Sequence, residues 1–282
     1  MMKMLVGIAL LGVGVFFNPP PVLQEVADNF ATPSPALAED GEGKTSLLTG
    51  ELPHFSIVVN IPALELRLFE NNSLVKRIPI AVGQARFPTP ANKLDYLSHV
   101  IWNPSWSPPD SNWAKGAEYT PPGPDNPLGV VKMPLSNAIL LHGTNAESSI
   151  GTPASHACIR MYNDDARDLA WTLQSNLTPY FDTSLLESYK EHRWKTVAID
   201  LHTSVPVQFI YEPVEINGDE LSLHQDLYRR IRNIREMVFE KLGSKGISER
   251  DIDSARLDEL IQEWKNGTEK VTVLLSELIK QG

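Results

Sequence analysis

The distribution of apolar residues changes character three times along the chain. Met4 to Phe17 is an unbroken apolar run behind Lys3. Residues 18–50 lose all periodicity and fill with Pro, Ala, Ser, Gly and Glu, a linker pattern. From Phe55 the pattern is that of strands. FSIVVN (Phe55–Asn60) is a short β-branched run, and Leu64–Glu70 alternates apolar with charged residues at period two. Asn71-Asn72-Ser73 reads as a turn and Leu74–Val82 as a returning strand, so a hairpin is predicted. His99–Trp102, Val130–Met133 and Ala138–Leu141 are further strand candidates. Two stretches, NPSWSPP (Asn103–Pro109) and TPPGPDNPLG (Thr120–Gly129), are dense enough in Pro and Gly to predict fixed irregular loops. No sustained helical period precedes residue 163. The expected fold class is therefore mainly β, a sandwich or barrel with long loops.

Helical spacing takes over later. Asp164–Gln174 predicts a helix. Leu227, Ile231, Ile234, Val238 and Leu242 then recur every three or four residues, with Arg229, Arg230, Arg232 and Arg235 between them. Gly243 is the expected stop. A second helix is expected from Ser248 to Asn266, with Ser248 and Asp251 as a weak capping pair. A third is expected over Thr268–Lys280. Residues 216–282 thus read as a small α-helical C-terminal extension with its arginines on a solvated face.

Composition narrows the function. The 282 residues are 42% hydrophobic and 21% charged, which suits one globular domain with an additional part. The net charge of -10 argues against a nucleic-acid partner, because such proteins present a basic face. One cysteine excludes an intrachain disulfide and any Cys-rich zinc pattern. Lys3 followed by Met4–Phe17 has the form of a secretory signal, too short for a membrane span of about 20 residues. Ala36-Leu37-Ala38 offers a small-x-small cleavage site before Glu39. Residues 1–38 are read as a signal peptide or an N-terminal membrane anchor with a Pro-rich segment, and 39–52 as a linker. The expected location is outside the cytoplasm, in the periplasm or cell envelope.

The candidate chemistry lies between His142 and Met161. This stretch holds the lone Cys158, two of the seven histidines (His142 and His156) and Arg160. A free thiol with a pKa near 8.5 is mostly protonated at neutral pH and needs a base or a cation to become a nucleophile. If residues 156–160 are extended, His156, Cys158 and Arg160 share one face. His142 ends an apolar strand, and Gly143 and Gly151 permit tight backbone turns. A metal site from His142, His156 and Cys158 is the weaker alternative, because Arg160 repels a cation and a fourth ligand is missing.

Three elements here resemble the signature of the L,D-transpeptidases with a YkuD-type catalytic domain: His142-Gly143-Thr144, Ile150-Gly151 and Ser155-His156-Ala157-Cys158-Ile159-Arg160-Met161. NPSWSPP, GPDNPLG and VQFIYEPV (Val207–Val214) look like the ErfK/YbiS branch. The resemblance covers roughly 53–215, with residues about 175–202 as an insertion, either a lid or, by default, a surface decoration.

It implies a YkuD-like β-sandwich or barrel and a cysteine acyltransferase needing no cofactor or metal. By position Cys158 is the nucleophile and His142 the general base, while His156, Arg160 and Ser155 are supporting or substrate-binding residues. Backbone N–H groups near 156–158, Ala157 among them, are the natural oxyanion donors. No Asp follows His142, so the Gly143 carbonyl is the candidate to orient its ring. The implied partner is the peptidoglycan stem peptide. Its third residue forms a thioester, D-Ala leaves, and an amine on another stem or on a wall-attached protein accepts the acyl group. The alternatives are a hydrolase (L,D-carboxypeptidase or amidase) on the same scaffold and a non-catalytic peptidoglycan-binding module. Ala157 replaces the usual Gly before the cysteine, which costs about 1 kcal/mol if φ is positive there.

Overall fold

The computed structural model describes residues 55–280, so the readings for 1–38 and 39–52 lie outside the described residues. Ten strands build the first part: β1 (Phe55–Asn60), β2 (Glu65–Glu70), β3 (Ser73–Pro79), β4 (Val82–Gly83), β5 (Lys93–Trp102), β6 (Val131–Pro134), β7 (Leu140–His142), β8 (Pro153–Ser155), β9 (Ile159–Arg160) and β10 (Val197–Ile210). Eight of them form one mixed sheet in the order β3-β2-β1-β10-β5-β6-β7-β9, and β4 pairs with β8 separately. The predicted hairpin is present, and Asn71 and Asn72 both take positive φ (47° and 64°) at its turn. Period-two burial follows: Leu66 and Leu68 on β2 and Ile57 and Val59 on β1 enter the core. Helix α1 (Asn163–Leu177) closes the core with Ala166, Leu169, Ala170 and Leu173. Each buried leucine there contributes roughly 1.5–3 kcal/mol.

The loops are fixed by asparagines rather than by their prolines alone. Buried Asn126 donates to the carbonyls of Pro104 (2.9 Å) and Pro121 (2.9 Å) and accepts from the Leu128 amide (2.9 Å), which knots both Pro-rich stretches together. Strand β5 is longer than His99–Trp102 because Lys93–Leu97 also pairs with β10, where the buried Asp95 is satisfied by Lys93 and by the Ser136 hydroxyl. Residues 175–202, expected as a surface insertion, are instead built into the main sheet. After α2 (Thr183–Glu191), capped by Asp182, they supply the first half of β10, which pairs Val197 with Trp102 and Asp200 with His99. The Asn103 side chain gathers the carbonyls of Tyr189, His192 and Lys195, so the insertion is stitched into the sheet.

The C-terminal part corrects the all-helical expectation for 216–282. Strands β11 (Val214–Asn217), β12 (Glu220–Leu223) and β13 (Val271–Leu274) form a second sheet against α3 (Ile234–Ser244), α4 (Ser254–Asn266) and α5 (Leu275–Leu278). Thr268–Lys280 is therefore not one helix: Val271 and Val273 are buried and Thr272 and Leu274 are not, which is strand alternation. The helix read from Leu227 begins only at Ile234. Asp226 accepts from the amides of Arg230 and Ile231 (both 2.8 Å) and Arg229 sits at φ 54°, so the donors of a helical turn are already engaged. That helix ends at Ser244, and Gly246 (φ 77°), not Gly243, is the left-handed residue that closes it, with Ile247 N–H bonded to the Leu242 carbonyl in a Schellman-type cap. Asp253, rather than Ser248, caps α4. The second hydrophobic cluster includes Val214, Val238, Leu257 and Trp264. Glu215 links it to the first: it accepts from Asn60 (2.7 Å) and His224 (3.1 Å) and pairs with Arg67. Among the described residues no helix is long and apolar enough to cross a membrane.

Candidate active site

Strands β7 and β9 run parallel, with Leu141 opposite Ile159 and His142 opposite Arg160. Leu141 and Ile159 are fully buried in the core, so His142 and Arg160 share the other face. Lys132, the antiparallel neighbour of His142 on β6, extends this row to a second cation.

Residues 156–160 are not one strand, which corrects the expected single row of His156, Cys158 and Arg160. The chain turns at Ala157, whose φ is +78°. The buried Ser155 hydroxyl donates to the Cys158 carbonyl (2.5 Å) across this turn, so Ser155 shapes the loop. The His156 ring stacks on Trp113 (4.0 Å between centroids, 14°) and leans on Phe87 (4.6 Å). It makes no hydrogen bond to the thiol among the described residues.

His142 is buried, and its Nδ1 lies 2.5 Å from the Gly143 carbonyl. A carbonyl only accepts, so Nδ1 carries the proton and Nε2 keeps its lone pair. Burial drives the imidazole pKa down to about 4; the Gly143 bond opposes this and the Arg160 charge adds to it. The ring is therefore a neutral base at pH 7. Burial pushes the Cys158 thiol up, against the Leu140 backbone and the Arg160 charge, which favour the thiolate. Its Sγ lies 3.8 Å from the Ala138 carbonyl. The resting pair is thus thiol and neutral imidazole. No hydrogen bond joins them among the described residues, as is common before substrate tightens a site.

Arg160 acts on all three of His142, His156 and Cys158 through its charge. It forms no ion pair among the described residues, and its buried Nε has no partner. A half-buried guanidinium of this kind suits an anionic ligand.

Several contributors escaped the motif. Asn163 accepts from the Val130 amide (3.1 Å) and donates to the Thr144 carbonyl (2.9 Å). A Cβ on Gly143 would lie 2.3 Å from Asn163 Oδ1, so Gly143 is required by close approach. Asn163 thereby packs on Gly143 and holds the next carbonyl along, that of Thr144, beside the one that orients His142. Thr89 and Tyr228 brace the Ala157 turn from behind. The signal for Thr89 was its bracketing by Pro88 and Pro90; Tyr228 gave none.

A family model for the L,D-transpeptidase catalytic domain, YkuD, matches residues 54–197. The chain belongs to this family. The ErfK/SrfK and YbiS proteins of Escherichia coli K12, both named as probable L,D-transpeptidases, are 36% identical over 121 residues and 32% identical over 136 residues. Those matches cover 40% and 44% of this chain but only 39% and 43% of the relatives, so the chain spans about two fifths of their length. The YkuD protein of Bacillus licheniformis is 31% identical over 167 residues, covering 54% of this chain and 88% of its own. Among solved structures, an L,D-transpeptidase from Mycobacterium smegmatis aligns with 55% of this chain and 58% of its own at 16% identity and a TM-score of 0.35, too low to carry structural inference.

Proposed function

We propose that this protein is an exported peptidoglycan L,D-transpeptidase with Cys158 as nucleophile and His142 as general base. The observation that carries the proposal is the committed tautomer of His142, neutral at pH 7, on the strand that pairs with β9 immediately after the half-buried Cys158. As Sγ attacks the carbonyl of the third stem residue, the thiol proton passes to His142 Nε2. The oxyanion is met by backbone N–H at Cys158. Collapse breaks the amide bond, and the departing D-Ala amine takes the proton back, leaving a thioester. An amine acceptor gives a proton to His142, attacks the thioester and forms a new amide, and the thiol recovers the proton. Arg160 and Lys132, on either side of His142, hold substrate carboxylates against a protein whose net charge is -10. Another stem or a wall-attached protein supplies the acceptor. The apolar N-terminal run serves export to the periplasm or cell envelope, as a cleaved signal or a retained anchor.

Water in place of the amine would give the hydrolase on the same thioester. Incubation with purified tetrapeptide muropeptides separates the two. Transfer yields cross-linked dimers, and hydrolysis yields tripeptide alone. Neither product from a protein whose thiol is intact favours the binding module.

A further inference from the structure

Thr89 is fully buried, and its hydroxyl accepts from the Gly83 amide (2.9 Å) and donates to the Ala157 carbonyl (2.9 Å). Tyr228 Oη accepts from the Thr89 amide (3.1 Å) and donates to the Gly83 carbonyl (2.8 Å). Each hydroxyl has one proton, so the direction is fixed: Tyr228 to Gly83, Gly83 to Thr89, Thr89 to Ala157. Gly83 admits no side chain here, because a Cβ would lie 2.2 Å from the Phe87 carbonyl oxygen. Tyr228 is itself held. Its amide donates to Tyr211 Oη (2.9 Å), Tyr211 donates to Asp226 (2.7 Å), and the Arg230 guanidinium lies over both rings at 5.6 and 5.4 Å.

The relay ends on the peptide that joins Ala157 to Cys158. In a trans peptide the carbonyl and the following N–H point in opposite directions. Fastening the Ala157 carbonyl therefore aims the Cys158 N–H. Among the described residues no hydrogen bond engages that N–H, so it is a free donor beside the nucleophile. Ala157 holds a left-handed φ of +78°, which persists only where surrounding bonds enforce it.

We infer that Thr89 and Tyr228 are positioning residues that hold the Cys158 N–H as oxyanion donor, so that a segment past residue 197, beyond the family match, sets the catalytic loop. This rests on the acyl-transfer reading above.

The test compares two reactions of Cys158 in the full chain. Iodoacetamide alkylates the thiolate by displacement at carbon, with iodide leaving and no oxyanion. Meropenem acylates it: the Sγ–C bond forms, the β-lactam C–N bond breaks, the ring nitrogen takes the proton, and an oxyanion forms on the way. Tyr228→Phe and Thr89→Val are expected to lower the acylation rate about tenfold to a hundredfold while alkylation stays within about twofold. Thr89→Ser, which keeps the hydroxyl, recovers most of the acylation. Tyr228 is only half-buried, so Tyr228→Phe carries the test alone if Thr89→Val fails to fold. Acylation at the wild-type rate in Tyr228→Phe, or equal loss of both rates, overturns the relay. A wild-type protein that is alkylated but never acylated overturns the acyl-transfer reading, and the relay with it.

Discussion

Replacing Ala157 by glycine tests the local geometry of the nucleophile loop. The φ of +78° places a Cβ in the left-handed region, which costs a non-glycine residue about 1–2 kcal/mol. Glycine removes that cost but frees the unfolded chain by about 0.4–1 kcal/mol. It also gives up a half-buried methyl worth about 0.4 kcal/mol, half of a buried CH₂. The balance is a stabilisation of roughly 0.5 kcal/mol, or a Tm rise of about 1–2 °C for a unit of this size. Urea unfolding followed by far-UV circular dichroism, with calorimetry for Tm, resolves the sign. Because Thr89 still holds the carbonyl of residue 157, acylation by a carbapenem is expected to continue at a comparable rate. A destabilisation above about 1 kcal/mol would show that the loop does not hold residue 157 in a strained conformation.

Four further outcomes follow from contacts already described. With the His142 pKa depressed to about 4, the acid limb of the acylation rate should fall near pH 4, not near the ordinary 6.5, and alkylation should keep rising through pH 9 because the thiol is pushed up; an acid limb near 6.5 would mean an exposed imidazole. The folded pKa of His142 lies below its unfolded 6.5, so stability present above pH 6.5 is lost toward pH 4, by roughly 3 kcal/mol in denaturant titrations that His142→Gln should flatten. Asn163→Ala, which strips two hydrogen bonds from the turn at Gly143, should cost about 1–3 kcal/mol and lower kcat more than it changes KM. Burial alone would raise Glu215, but the His224 hydrogen bond and Arg67 hold it at about 2; its stabilisation is present above pH 4.5 and lost as pH falls toward 2, and Glu215→Gln should remove that slope from the unfolding curve.

The strand pattern up to Leu141 was legible because burial on one face leaves a period of two, as in Leu64–Glu70. The proposed nucleophile and base were legible because a lone thiol, two imidazoles and an arginine fall within twenty residues. What periodicity could not show was long-range pairing. Thr196–Ile199 is β-branched and apolar enough for a strand, but nothing local says that it extends the central sheet beside β5. Leu227 and Ile231 mimicked a helix because apolar spacing carries no record of Asp226 seizing the amides of Arg230 and Ile231. His156 resembled a base by its distance in sequence, whereas the turn at Ala157 and the Trp113 ring fix it elsewhere. Asn163, Thr89 and Tyr228 act through hydrogen bonds spanning 19, 68 and 145 residues, which no motif of contiguous residues encodes.

The most direct measurement is intact-protein mass spectrometry after incubation with a tetrapeptide stem, quenched in acid to preserve a thioester. The predicted result is a mass increase equal to the stem less D-Ala, mapped by peptide digestion to Cys158 and absent from Cys158→Ala. A folded wild-type protein that releases D-Ala without that adduct, or an adduct that survives in Cys158→Ala, would contradict Cys158 as the nucleophile.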